Sequence, residues 1–140
     1  MKNILITTLL LLSLYGNAHS AAAELRDDNS AGVHEEVLQN GLKVFAIKDP
    51  NAPLAVFQIW YDAGSINEQV GKTGLSHLLE HMMFKGTPKY GAKVFSKIIQ
   101  RAGGGDNAGT SKDFVYYYQK LSPDRIQLSI ELEADRMQNL

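Results

Sequence analysis

The chain has 140 residues, of which 44% are hydrophobic and 21% charged, enough for one domain with a core but not for two. Its 14 basic and 15 acidic residues give a formal net charge of −1, so no nucleic-acid partner is expected. The absence of cysteine excludes disulfides, thiolate metal sites and cysteine nucleophiles. A transition-metal site in this chain would therefore use His, Asp or Glu.

The N-terminal stretch has the layout of a secretory signal peptide. Lys2 supplies a positive charge, Ile4 to Leu14 is mostly apolar, and small residues such as Ala18 and Ser20 follow. A membrane span needs about 20 apolar residues, which this run does not reach, so we expect cleavage and no stable membrane anchor. We therefore predict a signal peptide over residues 1–20 and a periplasmic or secreted protein.

The mature chain is predicted to start with a flexible lead-in over residues 21–32 and then a β-hairpin. Its strands are Val33–Leu38 and Leu42–Lys48, because Asn40-Gly41 between them tolerates the positive φ angles of a tight turn. The next run, Leu54–Tyr61, is almost continuously apolar, which is typical of a central strand buried on both faces.

Two helices are expected in the middle of the chain. The first runs from Thr73, a candidate N-cap, to about Lys85, where Gly86 and Pro88 stop it. The second fits Ala92–Ala102, because its apolar residues recur at helical spacing on one face. Both are therefore predicted to be amphipathic.

Two further strands and a C-terminal helix complete the predicted elements. The strands are Asn107–Thr110 and Asp113–Leu121, and the longer one is rich in Val and Tyr, which favour strands. Ser122-Pro123-Asp124 is a typical helix start, and no stop signal follows it before Leu140. The order of elements predicts an α+β fold, with helices packed on one face of a largely antiparallel sheet.

The first predicted helix carries residues that suit a metal-dependent hydrolase. His77 and His81 lie one turn apart on one face, and Glu80 lies at the edge of that face. The opposite arc is apolar and consists of Leu75, Leu78, Leu79, Met82 and Met83. Two such imidazoles can bind one Zn²⁺, which lowers the pKa of a water molecule, and the carboxylate can accept its proton. Paired histidines alone are more often structural, but the added Glu favours the metal site.

The order His-x-x-Glu-His is the inverted zincin signature, and the match extends well beyond it. It includes the run from His77 to Thr87, the pair Asn107-Ala108 followed by Thr110, and the segment from Glu133 to Met137. In these features the chain resembles the insulinase- or pitrilysin-type zinc peptidases, the family that includes the mitochondrial processing peptidase. The resemblance identifies residues 33–140 as the N-terminal portion, the first half, of a pitrilysin-type peptidase domain.

The resemblance implies that Zn²⁺ is the cofactor, that His77 and His81 are ligands and that Glu80 is the general base. It also implies a peptide or unfolded-protein substrate whose backbone pairs with the strand at Asn107 and Ala108. The third zinc ligand of the family is a Glu on a later helix, expected after residue 140. C-terminal domains or a related subunit, which close around the substrate in this family, are therefore the expected partners.

The resemblance also bears on three late acidic residues and on Gly109. The acids Glu131, Glu133 and Asp135 match another segment of the family pattern, so they are not expected to bind zinc. The family often has an aromatic residue at the position of Gly109.

The sequence thus predicts an exported zinc endopeptidase. The alternative is a truncated, catalytically inactive remnant, or a peptide- or partner-binding member of the family that lacks the third ligand. A half-domain leaves a sheet edge and an apolar helix face uncovered, so we expect the isolated chain to be poorly soluble or oligomeric.

Overall fold

The computed structural model describes residues 26–28 and 32–140, so the predicted signal peptide lies outside the described residues. The helices and strands of the described part are β1 (Arg26–Asp28), β2 (Val33–Val37), β3 (Lys43–Ile47), β4 (Ala55–Tyr61), α1 (Leu75–Met82), α2 (Val94–Arg101), β5 (Gly105–Thr110), β6 (Val115–Leu121) and α3 (Ile126–Asn139). Among these residues, no helix has the length and apolar character needed to cross a membrane.

The N-terminal strands form a small antiparallel sheet in the order β1-β2-β3. The predicted hairpin is confirmed: Gly41 has a φ of 84°, and the Leu38 amide donates a 2.9 Å hydrogen bond to the Leu42 carbonyl. Residues Arg26–Asp28 fall in the predicted flexible lead-in but pair with β2, because the outer edge of a hairpin offers free backbone groups.

The second sheet is also antiparallel and has the order β4-β6-β5. The prediction that Leu54–Tyr61 is a central strand buried on both faces is wrong, because β6 is central and β4 lies at an edge. Phe57 and Ile59 are buried under the helices, but Trp60 on the other face is 55% exposed. The Trp60 ring stacks on Tyr116 of β6 at 4.9 Å between centroids, so a neighbouring ring rather than a helix covers it in part.

All three helices pack on one face of this second sheet, which confirms the α+β prediction. Phe95 and Ile99 of α2 form a buried cluster with Leu132 of α3. Ile126 and Ile130 of α3 pack against the β4 residues Phe57 and Ile59. Met83, directly after α1, packs against Val115 and Tyr117 of β6. The central strand therefore contacts the segment that carries the two histidines.

Helix α1 is shorter than predicted and only one side of it is buried. It spans Leu75–Met82, and Glu80 is its only buried residue. The apolar arc faces away from the sheet: its exposed members are Leu75, Leu78, Leu79 and Met82. Leu78, for example, is 56% exposed. This surface is the physical basis for the predicted low solubility of the isolated chain, which stays a prediction.

A buried ion pair lies within α3, and a hydrogen bond from β6 joins it to the sheet. Arg136 donates to Glu133 through Nη2 at 2.6 Å and Nε at 3.1 Å, and Gln119 of β6 donates to the same carboxylate at 2.6 Å. Burial raises the pKa of Glu133, while the charge of Arg136 opposes that rise. The guanidinium also lies over three rings, 4.4 Å from Tyr117, 4.5 Å from Phe95 and 5.5 Å from Phe84.

Candidate metal centre

The start of α1 is fixed by a carboxylate from the preceding loop. The predicted cap, Thr73, is replaced by Gly74, whose φ of 92° is left-handed and whose lack of a side chain leaves the first amides open. Glu68 accepts hydrogen bonds from the amides of Gly74 and Ser76, both at 2.7 Å. These bonds lower the pKa of Glu68, since they favour its charged form at the positive end of a helix. The sequence did not reveal this cap because Glu68 lies outside the usual capping spacing.

The lowered pKa of Glu68 predicts that the first turn of α1 loosens in acid. A depressed folded-state pKa contributes stability above the unfolded value of 4.5, and this stability is lost as the pH falls through the folded-state pKa. Amide exchange at residues 74–76 should therefore be slower in the parent than in Glu68→Gln at pH 7, with the difference vanishing at low pH. A pH-independent difference would contradict the capping role.

The two histidines converge. Their Nε2 atoms lie 3.1 Å apart and their ring centroids 4.6 Å apart, and both side chains are exposed at the surface of α1. In a tetrahedral site, Zn–N bonds of about 2.0–2.1 Å bring two ligand nitrogens to about 3.3 Å from each other. The separation of these two nitrogens is therefore close to that expected for two ligands of one zinc ion.

Glu80 is held on the buried side of α1, against the sheet. It is 9% exposed, and its Oε2 accepts a 2.5 Å hydrogen bond from the hydroxyl of Thr110 at the end of β5. Oε1 has no hydrogen-bond partner among the described residues. Burial raises the pKa of the neighbouring Tyr117; the positive charge of Arg136 opposes this rise and the negative charge of Glu80 adds to it. The carboxylate is thus fixed through one oxygen only.

Asn107 and Ala108 lie on β5, at the outer edge of the second sheet. Ala108 faces the helices and packs in the cluster of Met83 and Tyr117. Asn107 is exposed on the opposite face, and its Oδ1 accepts a 2.9 Å hydrogen bond from the Ala108 amide. On its inner side β5 pairs with β6, so its outer side is open within the described part of the chain. An extended peptide could add there as a further strand.

Gly109 shows how the chain accommodates the absence of an aromatic residue in β5. It pairs with Tyr116 of β6, and a Cβ at Gly109 would lie 2.7 Å from Cε1 of that ring. The neighbouring strand therefore supplies an aromatic ring above the glycine. This arrangement leaves no space for a side chain at Gly109 unless Tyr116 moves.

No third ligand joins the histidines within the part of the chain that the structure describes, where no group of three metal-binding side chains is found. The late acids have other roles. Glu133 is in the buried ion pair, Asp135 accepts a hydrogen bond from Thr87, and Glu131 accepts one from Gln127. That none of the three acids binds zinc stays a prediction.

In sequence and in its α+β fold, the chain is similar to zinc proteases. The family model for insulinase (peptidase family M16) matches residues 43–140. The zinc protease PqqE of Helicobacter pylori is 41% identical over 109 residues, which cover 76% of this chain and 24% of that protein. A probable mitochondrial-processing peptidase subunit beta of Arabidopsis thaliana is 36% identical over 102 residues, covering 73% and 19%. The crystal structure of pitrilysin superposes with a TM-score of 0.70 at 25% identity, covering 84% and 13%.

The chain belongs to the insulinase family of peptidases, family M16. This confirms the resemblance seen in the sequence. The chain spans about a quarter or less of the length of these relatives.

Proposed function

We propose that the full-length protein carrying this chain is an exported, zinc-dependent endopeptidase. The observation that carries the proposal is the approach of two Nε2 atoms to 3.1 Å, beside a carboxylate held on the sheet side of the same helix. His77 and His81 would hold the ion, with a third ligand from elsewhere in the full-length protein. The metal would supply Lewis acidity, which makes water a better nucleophile at neutral pH.

Glu80 is proposed as the general base and then the general acid. It takes a proton from the attacking water as the water oxygen bonds to the scissile carbonyl carbon. It returns that proton to the amide nitrogen as the carbon–nitrogen bond breaks, which releases an amine and a carboxylic acid. The acid then gives its proton to the amine or to solvent, so the products leave as carboxylate and ammonium. The absence of a partner for Oε1 among the described residues leaves one carboxylate oxygen for this transfer, while Oε2 stays with Thr110.

The proposed substrate is a peptide or an unfolded protein, bound as an added strand at β5. Main-chain groups of β5 near Asn107 and Ala108 would pair with the substrate backbone, so binding depends little on substrate sequence. Folded substrates are disfavoured because their backbone groups are already paired. The signal-peptide pattern at residues 1–20 supports a periplasmic or secreted location, and the remaining domains or a related subunit are the proposed partners.

Peptide cleavage measured with zinc, after chelation and after zinc is returned tests this function. The zinc-loaded full-length protein should cleave an unstructured fluorogenic peptide, lose the activity on chelation and regain it when zinc returns. Cleavage that persists after complete removal of the metal would contradict the proposal.

The alternative is that a product of these 140 residues alone is an inactive peptide- or partner-binding protein. It is favoured by the absence of a three-ligand group in the described residues. Two histidine ligands should bind zinc weakly, so this short product should lose its zinc on desalting and leave the peptide intact. One tightly bound zinc ion together with peptide cleavage would exclude the alternative, and the reading frame after codon 140 would show which product is made.

A further inference from the structure

The bond between Thr110 and Glu80 joins two elements that are 30 residues apart in the sequence. Glu80 lies in α1, beside His81, whereas Thr110 is the last residue of β5. It is the only side-chain hydrogen bond of Glu80 among the described residues, and it is short at 2.5 Å. A hydroxyl that donates to a carboxylate forms a strong, charge-assisted bond and fixes the direction of the acceptor.

We propose that Thr110 is a positioning residue that sets the orientation of Glu80 for proton transfer. The inference rests on the proposed function, since it assigns a role around the same general base. The hydroxyl holds Oε2, so the carboxylate can rotate little, and Oε1 keeps a constant direction. Without this bond, the side chain of Glu80 would sample several rotamers, only some of which could reach the reacting water.

Two features fix the direction of the Thr110 hydroxyl. Its χ1 angle is restricted because its Cβ is branched, so the hydroxyl direction is itself well defined. Its backbone pairs with Val115, and the adjacent Ser111 amide donates a 2.8 Å hydrogen bond to the Phe114 carbonyl, which closes the turn to β6. The donor therefore belongs to a rigid part of the sheet rather than to a mobile loop.

The position of Thr110 also relates the base to the substrate. Asn107 and Ala108 lie two to three residues earlier on β5, about 7–10 Å along the strand. A peptide paired with this edge would be fixed in register by the same strand that orients the carboxylate. Thr110 thus fixes the position of the base relative to the substrate backbone, because both would be held by β5. A residue on α1 could not do this.

The test compares Thr110→Val with Thr110→Ser in the zinc-loaded full-length protein. Valine keeps the size and branching of threonine but removes the donor, so kcat should fall about 10- to 100-fold while KM, zinc content and melting temperature stay close to the parent. Serine keeps the donor and should restore most of kcat. A role in packing alone predicts the reverse order, because valine then preserves the contact and serine loses the methyl group.

Ser96→Ala is the matched control. Ser96 of α2 donates a 2.6 Å hydrogen bond to Asp106 of β5, so the variant removes a bond of the same type between a helix and the same strand, away from Glu80. Its kcat should equal that of the parent. An unchanged kcat in Thr110→Val, or an equal loss in Ser96→Ala, would overturn the positioning role and leave the proposed function intact. A parent protein without zinc-dependent hydrolysis would overturn both.

Discussion

Under the proposed function, replacing His81 with Ala in the full-length protein is expected to abolish zinc binding and peptide hydrolysis. His77 and His81 approach each other to 3.1 Å through Nε2, so deleting one imidazole leaves a site with too few ligands for tight binding. Zinc stoichiometry by elemental analysis should fall from one to near zero per chain. Hydrolysis of an unstructured peptide should fall with it, because the proposed ion would supply the Lewis acidity for the attack on the peptide carbonyl.

Two further variants separate the site from general damage to the fold. Glu80→Gln should retain zinc but lose about 10²- to 10⁴-fold in kcat, since the amide cannot accept the proton. His34→Ala is the matched control, because His34 lies on β2 and is not part of α1. It should keep both zinc and activity. Unchanged zinc stoichiometry in His81→Ala would refute the assignment of the ligand pair.

Replacing Arg136 with Met is expected to destabilise the fold by about 3–5 kcal/mol or more. Arg136 is 3% exposed and Glu133 fully buried, so removing the guanidinium leaves a carboxylate without a counter-charge away from water. Breaking a buried pair in this way costs about 3–5 kcal/mol. The three aromatic contacts of the guanidinium are lost as well, each worth about 0.5–2 kcal/mol. Urea unfolding of the full-length protein measures the effect.

The double variant Glu133→Gln with Arg136→Met is the control for charge. The amide introduced by Glu133→Gln is neutral, and its oxygen can still accept the hydrogen bond from Gln119. The share of stability lost through the unpaired charge should therefore return, while the share from the aromatic contacts should not. If the double variant were as unstable as the single one, packing on Phe84, Phe95 and Tyr117 rather than the unpaired charge would account for the loss.

Local patterns in the sequence predicted the helices and strands well, but not which elements pack or pair with each other. The Asn-Gly turn, the Gly86 helix stop and the Ser-Pro helix start are signals that act within a few residues. The structure has a hairpin, the end of α1 and the start of α3 near those places. The placement of β4 was wrong because an apolar run does not specify what covers each face. Stacking between Trp60 and Tyr116 depends on the pairing of β4 with β6, which no local signal encodes.

In the candidate site, too, the residues on one helix could be predicted from the sequence, but the residues that contact them from other segments could not. The spacing of His77, Glu80 and His81 is a property of one helix, so the sequence alone could place them together. Thr110 and Glu68 reach α1 from other segments, and their contacts exist only after β5 and the loop before α1 have docked. Residues that hold a site in place are therefore harder to predict from sequence than residues that form it.

The composition of β5 bears on self-association. An open sheet edge normally invites pairing with a second copy, and long apolar edges do so irreversibly. The strand Gly105-Asp-Asn-Ala-Gly-Thr110 contains two glycines, an aspartate and an asparagine, which have low strand propensity and little apolar surface. Permanent pairing of this edge with a second copy of the chain would therefore bring little stabilisation. The expected low solubility of the isolated chain therefore rests on the exposed apolar residues of α1 rather than on the edge at β5.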